Sequence, residues 1–420
     1  MPSDTHGDDH DNDHHSGREV WPYRKDLLIS SAPLTRLIGA ELPDRIVEIE
    51  SRQDLGERVD AENFTEDDFN ALTGRDTAQQ TLWLYDIGDP KGNPMKDAGI
   101  AVANGVEASP VLATMLSWHI SVMPGTTPTP SPHTPDLDTS SQLSADAPIA
   151  VVDSGYNAES TPDWLASRVQ AVDRKLDADD WDPNTGWRGH GKFVASVIVQ
   201  QNPRANVFVT ALKPVPLNDF YELSVATDSN APVIALADEF SLFSAVRRLL
   251  ETPGVPKTYR ALNLSVGAWT RDTKLRSGLA ILAALLLWKS RQPGVPIVAA
   301  AGNHNPNEEP PDADLFIPGQ WTFIDDLYGV QSLSKNAQRS FFSNRSKNAP
   351  PRGAVGEALL GVLDDGTPAH WSGTSFATAV VSAHVAKSNP PKPPPPVVKL
   401  EPRLRDKLGV PPPTAASPHG

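Results

Sequence analysis

Apolar residues from position 147 onward follow two patterns that alternate along the chain. Short continuous apolar runs, which are typical of buried strands, occur at 148–152, 206–212, 261–266, 296–301 and 327–333. Stretches in which apolar residues recur every three or four positions, as in amphipathic helices, occur at 191–200, 239–251, 273–290 and 375–386. The alternation predicts an α/β domain over 147–387, with a mainly parallel central sheet and helices on both faces.

The first twenty residues have no apolar periodicity. They are rich in His, Asp and Gly, so we expect residues 1–20 to form a disordered, acidic tail. Metal binding by His10, His14 and His15 is the alternative. A solvated tail is the better interpretation, because nothing in the sequence holds these side chains in one geometry.

A small α+β domain is predicted between this tail and the α/β domain, over residues 21–124. Its β-like runs lie at 45–50, 81–87 and 111–122. Residues 125–146 are dominated by Pro, Thr and Ser and predict an extended linker. Residues 388–420 predict a second Pro-rich extended segment. The sequence therefore predicts two domains, with one extended segment between them and another after the second domain.

Composition excludes several classes of function. The net charge of −15, from 37 basic and 52 acidic residues, argues against nucleic acid as a partner. The absence of cysteine excludes disulfides, Cys-ligated zinc and thiol catalysis. The polar N-terminus lacks the pattern of a secretory signal, and the longest apolar run, 279–288, is too short to span a bilayer. We therefore expect a cytoplasmic protein without a membrane partner.

Two polar motifs are placed where chemistry is expected in an α/β domain. Asp153 ends the first predicted strand and precedes a sharp Ser-Gly turn, and ligand-handling groups gather beyond the carboxyl ends of strands. His190 lies between two glycines at the start of a predicted helix, which leaves its imidazole unobstructed for proton transfer. Taken singly, each motif also fits an ordinary turn or a surface loop.

Two further motifs lie later in the chain. Asn303 follows the predicted strand at 296–301, where its amide could donate a hydrogen bond to an oxyanion. Ser375 opens a predicted helix, whose dipole and first backbone N–H groups favour the negative charge that develops in acyl transfer. The ordinary alternatives are a turn asparagine and a helix cap formed by Thr374 or Ser375.

The order of the four motifs is more informative than any one of them. Asp, His and Ser follow one another as in subtilisin, and not as in chymotrypsin or the α/β-hydrolases. The chain resembles the subtilase family of serine proteases, peptidase family S8, over about residues 147–387. The Gly-Thr-Ser-Phe-Ala segment at 373–377 is the most specific part, and 316–319 and 341–345 resemble family segments that follow the asparagine strand.

The resemblance implies a serine endopeptidase that acts on protein or peptide substrates without a cofactor. It implies that Asp153 orients the imidazole, that His190 is the general base and acid, and that Ser375 is the nucleophile. Asn303 and the Ser375 backbone N–H would form the oxyanion hole. The residues that would pair with the substrate main chain are Ser265, Val266 and Gly267.

Some positions depart from the family pattern. Lys192 and Phe193 stand where the family usually has Thr and frequently His, and Ala379 stands where it usually has proline. None of these positions is expected to transfer a proton. The acidic cluster at 173–182 lacks a recognisable ligand spacing, so no metal site is predicted and calcium has no support in the sequence.

Other functions for the same fold remain open at this point. A catalytically silent binding module is one alternative, although every triad residue is present. Esterase or transpeptidase activity through the same acyl-enzyme is another. The N-terminal domain is expected either to recognise a regulatory partner or to act as an inhibitory propeptide, and the long linker and missing signal sequence favour recognition.

Overall fold

The elements of the fold are taken from a computed structural model, which describes residues 23–30, 32–43, 47–52, 82–87, 94–106, 108–115, 128–135, 146–172, 189–215, 220–221, 236–270, 278–304 and 315–401. The strands are β1 Tyr23–Ser30, β2 Val47–Arg52, β3 Leu82–Asp86, β4 Ala108–Met115, β5 Thr129–Pro130, β6 Ala147–Asp153, β7 Val169–Ala171, β8 Ala205–Ala211, β9 Phe220–Tyr221, β10 Leu236–Asp238, β11 Ala261–Leu264, β12 Ala268–Thr270, β13 Ile297–Ala300, β14 Leu315–Ile317, β15 Leu327–Leu333, β16 Arg352–Val355, β17 Leu359–Val362, β18 Pro368–Trp371 and β19 Val397–Val398. The helices are α1 Pro94–Ala103, α2 Asp163–Ala166, α3 His190–Gln201, α4 Glu239–Glu251, α5 Leu279–Arg291 and α6 Thr374–Val385.

A parallel sheet of eight strands, in the order β19-β16-β15-β13-β11-β6-β8-β7, forms the centre of the larger domain. Helices α3 and α6 pack against each other and on this sheet, and α4 and α5 form a second packed pair. Strands covered in this way read as continuous apolar runs, and every residue of β11 and β13 is buried. The predicted α/β class is confirmed.

The predicted elements of this domain lie close to the observed ones. The five predicted strands correspond to β6, β8, β11, β13 and β15, and the predicted bounds of α4 and β15 agree with those observed. Helix α5 begins only at Leu279, and residues 273–277 of its predicted first part lie outside the described residues. The short strands β16, which is parallel to β15, and β17 and β18, which pair antiparallel with each other, were not predicted.

A second sheet, in the order β10-β4-β1-β3-β2 with β9 beside β1, is antiparallel throughout. Leu28 lies in a small apolar cluster with α1, whereas its neighbours Leu27 and Ile29 belong to the core shared with the larger domain. Alternate side chains of β1 thus bury both faces of this sheet. Since β9 and β10 come from residues after position 219, this sheet is completed by the larger domain's own chain.

Pairing also occurs in both segments that the sequence predicts as spacers. Strand β5 pairs with β18, and β19 adds to the edge of the parallel sheet beside β16. The division into domains at 125–146 and 388–420 stays a prediction, as does disorder in residues 1–20, which lie outside the described part of the chain. Among the helices described, none has the length and apolarity needed to cross a membrane.

Glu239, at the first turn of α4, connects the antiparallel sheet to helix α5 of the larger domain. Its buried carboxylate accepts hydrogen bonds from the backbone N–H of Leu112 in β4 and of Ala280 in α5, each at 2.9 Å. The neighbouring Asp238 caps α4 by accepting from Ser241 N at 2.7 Å, and it pairs with Arg24 of β1 at 3.3 Å. Burial raises the pKa of Glu239 from 4.5 to about 7, against the opposing effect of these backbone donors.

The raised pKa of Glu239 predicts a decrease of stability with rising pH. Between pH 4.5 and about 7 the folded state retains a proton that the unfolded state releases, so the free energy of unfolding falls through this range and is constant above it. The expected loss is on the order of 3 kcal/mol. Urea unfolding of wild type and Glu239→Gln at pH values from 4.5 to 8 measures it.

The difference in unfolding free energy between wild type and Glu239→Gln should shrink as the pH rises, since glutamine does not titrate. Glu251→Gln, at the exposed end of the same helix, is the matched control and should keep the wild-type slope. Equal slopes in wild type and Glu239→Gln would contradict the prediction.

Candidate active site

Asp153 and His190 meet at the carboxyl end of β6. The imidazole Nδ1 of His190 lies 2.7 Å from Oδ1 of Asp153, and both side chains are buried. The same carboxylate oxygen accepts the backbone N–H of Ser154, also at 2.7 Å. Because an ionised carboxylate accepts hydrogen bonds and cannot donate them, Nδ1 carries the proton and Nε2 becomes the basic nitrogen.

The start of α3 reaches Asp153 through a close backbone approach. A β-carbon at Gly191 would lie 2.2 Å from the carbonyl oxygen of Gly155, so only glycine permits this contact. The N–H of Gly191 donates to the hydroxyl of Ser154 at 3.0 Å. These contacts explain why the glycine after the histidine and the turn after the aspartate are both needed to bring the two side chains together.

Aromatic rings enclose the imidazole of His190. Trp371, the last residue of β18, meets it edge-on at a centroid distance of 5.4 Å, and Phe376 of α6 lies at 5.3 Å. Phe193, one turn further along α3, packs on both rings. Since Phe376 directly follows Ser375, this cluster holds the first turn of α6, which carries Ser375, against the histidine. The sequence analysis missed Trp371 and Phe376 as supports, although Phe376 lies within the most specific motif and Trp371 lies two residues before it.

Ser375 lies in the first turn of α6, where backbone N–H groups have no acceptor within the helix. Its hydroxyl donates to the backbone carbonyl of Ser265 at 3.1 Å, and the hydroxyl of Ser265 donates to the backbone carbonyl of Ser375 at 3.0 Å. This reciprocal pair fixes the nucleophile candidate against the segment that follows β11. Ser375 is only 2% exposed.

A buried polar chain continues behind Ser265. Its hydroxyl also lies 2.9 Å from Oδ1 of Asn263, whose amide nitrogen donates to the hydroxyl of Ser382 at 3.0 Å. Asn263 belongs to β11 and Ser382 to α6, two turns after Ser375. The sequence analysis did not single out either residue, and the signal was a polar residue within an otherwise apolar strand.

Asn303 lies just beyond β13, with its side chain directed to the start of α6. Its Oδ1 accepts the backbone N–H of Thr374 at 3.0 Å. Because a backbone N–H can only donate, this contact identifies the oxygen end of the amide and leaves Nδ2 as the donor end. The geometry can therefore present an N–H group beside the first turn that carries Ser375.

The segment expected to pair with substrate is buried in the structure. Ser265 and Val266 are fully buried, and Gly267 lies against Phe316 and Ile317 of β14. The Ser265 carbonyl is engaged by the Ser375 hydroxyl. A substrate-pairing role for this segment stays a prediction.

The residues weighed as metal ligands lie outside the described residues: His10, His14, His15 and the acidic cluster at 173–182. Within the described ranges, no group of three His, Asp or Glu side chains could hold a metal ion. Calcium dependence is not tested by this arrangement.

Comparison with solved structures returns subtilisin-like proteases. A mutant of the protease domain of PatA is 20% identical over 59% of this chain and 80% of its own, with a TM-score of 0.41. The crystal structure of a cold adapted subtilisin-like serine proteinase is 21% identical over 57% of this chain and 74% of its own, with a TM-score of 0.40. The prenylagaramide maturation protease PagA is 20% identical over 57% of this chain and 74% of its own, with a TM-score of 0.38.

No curated protein matches the chain significantly. The subtilase family profile matches residues 144–394, which is more than half of the chain and includes the whole of the predicted catalytic domain, 147–387. This match is independent of the site geometry described above, and it includes every residue of the Asp, His, Asn and Ser motifs. The chain therefore belongs to the subtilase family and is a serine-type peptidase.

Proposed function

We propose that the protein is an endopeptidase that cleaves peptide bonds through an acyl-enzyme formed on Ser375. The observation that carries the proposal is the buried hydrogen bond between Asp153 and His190, made beside the helix whose first turn carries Ser375. A buried carboxylate that binds Nδ1 sets the tautomer in which Nε2 can accept a proton. The reaction needs this tautomer and no cofactor.

Charge development gives each residue its role. His190 takes the hydroxyl proton of Ser375 as the serine oxygen attacks the substrate carbonyl, and later gives that proton to the leaving amine. Asp153 stabilises the imidazolium that forms between these steps. Water, activated in the same way by His190, then hydrolyses the acyl-enzyme and restores the serine.

Asn303 is proposed to stabilise the oxyanion of the tetrahedral intermediate. Its Oδ1 is bound to Thr374 N, which orients the amide before any substrate arrives. A donor that is already oriented costs no reorganisation when charge develops. The second donor is the backbone N–H of Ser375 in the first turn of α6.

Loss of any triad member should remove most of the activity. Ser375→Ala, His190→Ala and Asp153→Asn are each expected to lower kcat by about 10⁴-fold or more, and double variants should be little worse than the worst single one. Hydrolysis of a peptide library and labelling by a fluorophosphonate measure this. Ser388→Ala, a half-buried serine after α6, is the control and should keep full activity.

The same experiment separates the alternatives. Folded wild type that takes no label and cleaves nothing would support a silent binding module. Cleavage of esters without peptides would support an esterase. Independent, multiplicative losses in the double variants would show that the three residues do not act as a unit.

Asn303→Asp tests the oxyanion donor without removing the acceptor for Thr374 N. The aspartate keeps an oxygen there but has no N–H and adds negative charge, so kcat should fall by roughly 10²- to 10³-fold with little change in KM. Asn336→Asp, in an exposed turn, is the matched control. A rise in KM with kcat unchanged would instead assign Asn303 to substrate binding.

The N-terminal domain is proposed to act on its own catalytic domain. The contacts that support this are the pairing of β4 with β10, the shared apolar core that includes Ile29 and Val111, and the bond from Leu112 N to Glu239. A face buried in this way is not available to a regulatory partner while it is docked. An inhibitory, propeptide-like role is therefore better supported than partner recognition, and a cytoplasmic location stays a prediction.

Self-cleavage distinguishes a propeptide-like role of the N-terminal domain from recognition of a regulatory partner. Purified wild type should be cut between residues 125 and 146 on incubation, with rising activity, whereas Ser375→Ala should stay intact, as measured by intact mass. Since the two fragments share a core, they should co-elute after cleavage. A full-length wild type with full activity would overturn the propeptide-like role.

A further inference from the structure

Lys192 is a fully buried lysine two residues after His190. Its relative exposure is 0%, which places it with the large core side chains of the described residues. An ammonium group removed from water is costly unless hydrogen bonds and charge compensate it. The surroundings of Lys192 must therefore supply that compensation.

Two backbone carbonyls receive the ammonium group. Lys192 Nζ donates to the carbonyl oxygen of Glu159 at 2.8 Å and to that of Asp364 at 2.6 Å. The Asp364 carboxylate lies 3.9 Å away, and the ring of Tyr156 lies 5.9 Å from Nζ. Oxygen atoms and a π-face thus surround the charge, as ammonium groups require in a protein interior.

The two carbonyls belong to different segments of the site. Glu159 lies in the loop that follows Asp153. Asp364 lies in the hairpin loop between β17 and β18, and β18 ends at Trp371, four residues before Ser375. Lys192 itself belongs to the helix of His190. The side chain of Lys192 therefore contacts the loop that follows Asp153 and the hairpin that precedes Ser375, and it belongs to the same helix as His190.

Backbone packing brings these segments within reach of the ammonium group. A β-carbon at Gly189 would lie 2.7 Å from the backbone nitrogen of Asp364, so the hairpin loop approaches the start of α3 as closely as a glycine allows. The Asp153 loop approaches the same turn on its other side, at Gly191. The two loops also touch each other, since a β-carbon at Gly366 would lie 2.2 Å from the carbonyl oxygen of Ser160, and the ammonium group binds one carbonyl of each loop beside this contact.

Local propensity does not explain a lysine at this position. A positive charge in the first turn of a helix is opposed by the helix dipole. A residue that is locally unfavourable and held by hydrogen bonds to distant segments points to a role in the assembled site.

We propose that Lys192 is a positioning residue for the triad: its ammonium group joins the loop after Asp153 to the hairpin before Ser375 and so sets the placement of His190 between them. The inference rests on the proposed peptidase function. The lysine touches neither substrate nor the reacting atoms, and it acts only through the two loops that it ties to α3.

Lys192→Met, which keeps the length of the side chain and removes the charge and donors, tests the proposal. We expect kcat per active site to fall by roughly 10- to 100-fold with KM changed less than about twofold, since small misplacements of reacting groups have effects of this size. Active sites are counted by fluorophosphonate titration. A role in stability alone would reduce the number of active sites and leave kcat per site unchanged.

Hydrogen exchange supplies a readout that does not depend on activity. Amides of Thr161 and Gly366 are hydrogen-bonded within the two loops, so exchange at 155–161 and 363–367 should accelerate in Lys192→Met, while exchange in β11 and β13 should not. Lys289→Met, which removes another largely buried lysine paired with Asp326 at 2.9 Å, is the matched control. It should change neither kcat nor exchange in these loops.

If Lys192→Met does not fold, Asp364→Asn replaces it, and we then expect a smaller fall of kcat with faster exchange in the same loops. Wild-type kcat per site together with wild-type exchange, in whichever variant folds, would overturn the inference while leaving the peptidase proposal intact. A wild type without peptidase activity would sink the proposed function. In that case the exchange data alone decide whether Lys192 joins the loops.

Discussion

The buried hydrogen bond between Asp153 and His190 is the constraint on which the rest of the site depends. A carboxylate with no exposure must be compensated within the protein, and here a backbone N–H and an imidazole provide this compensation. To reach that carboxylate, α3 must begin against the turn after β6. The glycine contact, the aromatic enclosure of His190 and the buried Lys192 all follow from this close approach.

The parallel sheet explains why four distant motifs converge. Strands β6, β11 and β13 are neighbours in register, so the residues that follow them emerge at the same edge. Asp153 ends the first of these strands, Ser265 follows the second and Asn303 follows the third. Helix α6 packs on β11 and β13, and on β15 and β16 beyond them, and places Ser375 beside that edge. The sequence was sufficient to predict this convergence, because each motif adjoins a strongly apolar run.

Features that depend on tertiary pairing were less accessible to sequence reasoning. Strand β1 was missed because Arg, Lys and Asp interrupt its alternation, and its partners include β4 and β9 from remote parts of the chain. Pairing of β5 with β18 was missed because Pro and Thr are typical of a linker.

Lys192 was noticed only as a departure from the family, since no local pattern shows that a lysine is buried. The N-terminal sheet was predicted as an independent unit, and its continuity with the larger core depends on contacts that local periodicity does not encode.

The polar chain behind Ser375 shows how the core accommodates the site at the expense of simple apolar packing. Asn263, Ser265 and Ser382 are fully buried at positions where valine or alanine would pack without any need for partners. The contacts in the chain are 2.9 to 3.0 Å long, and the single proton of the Ser265 hydroxyl is shared between the side-chain oxygen of Asn263 and the backbone carbonyl of Ser375. Removing one member would change the hydrogen-bond partners of its neighbours. Such a network contributes little to net stability compared with apolar packing, but it allows only one arrangement of α6 on β11. The role proposed for Ser375, attack with its proton passing to an imidazole, requires that single arrangement, and a purely apolar contact between the same two elements would permit the helix to slide.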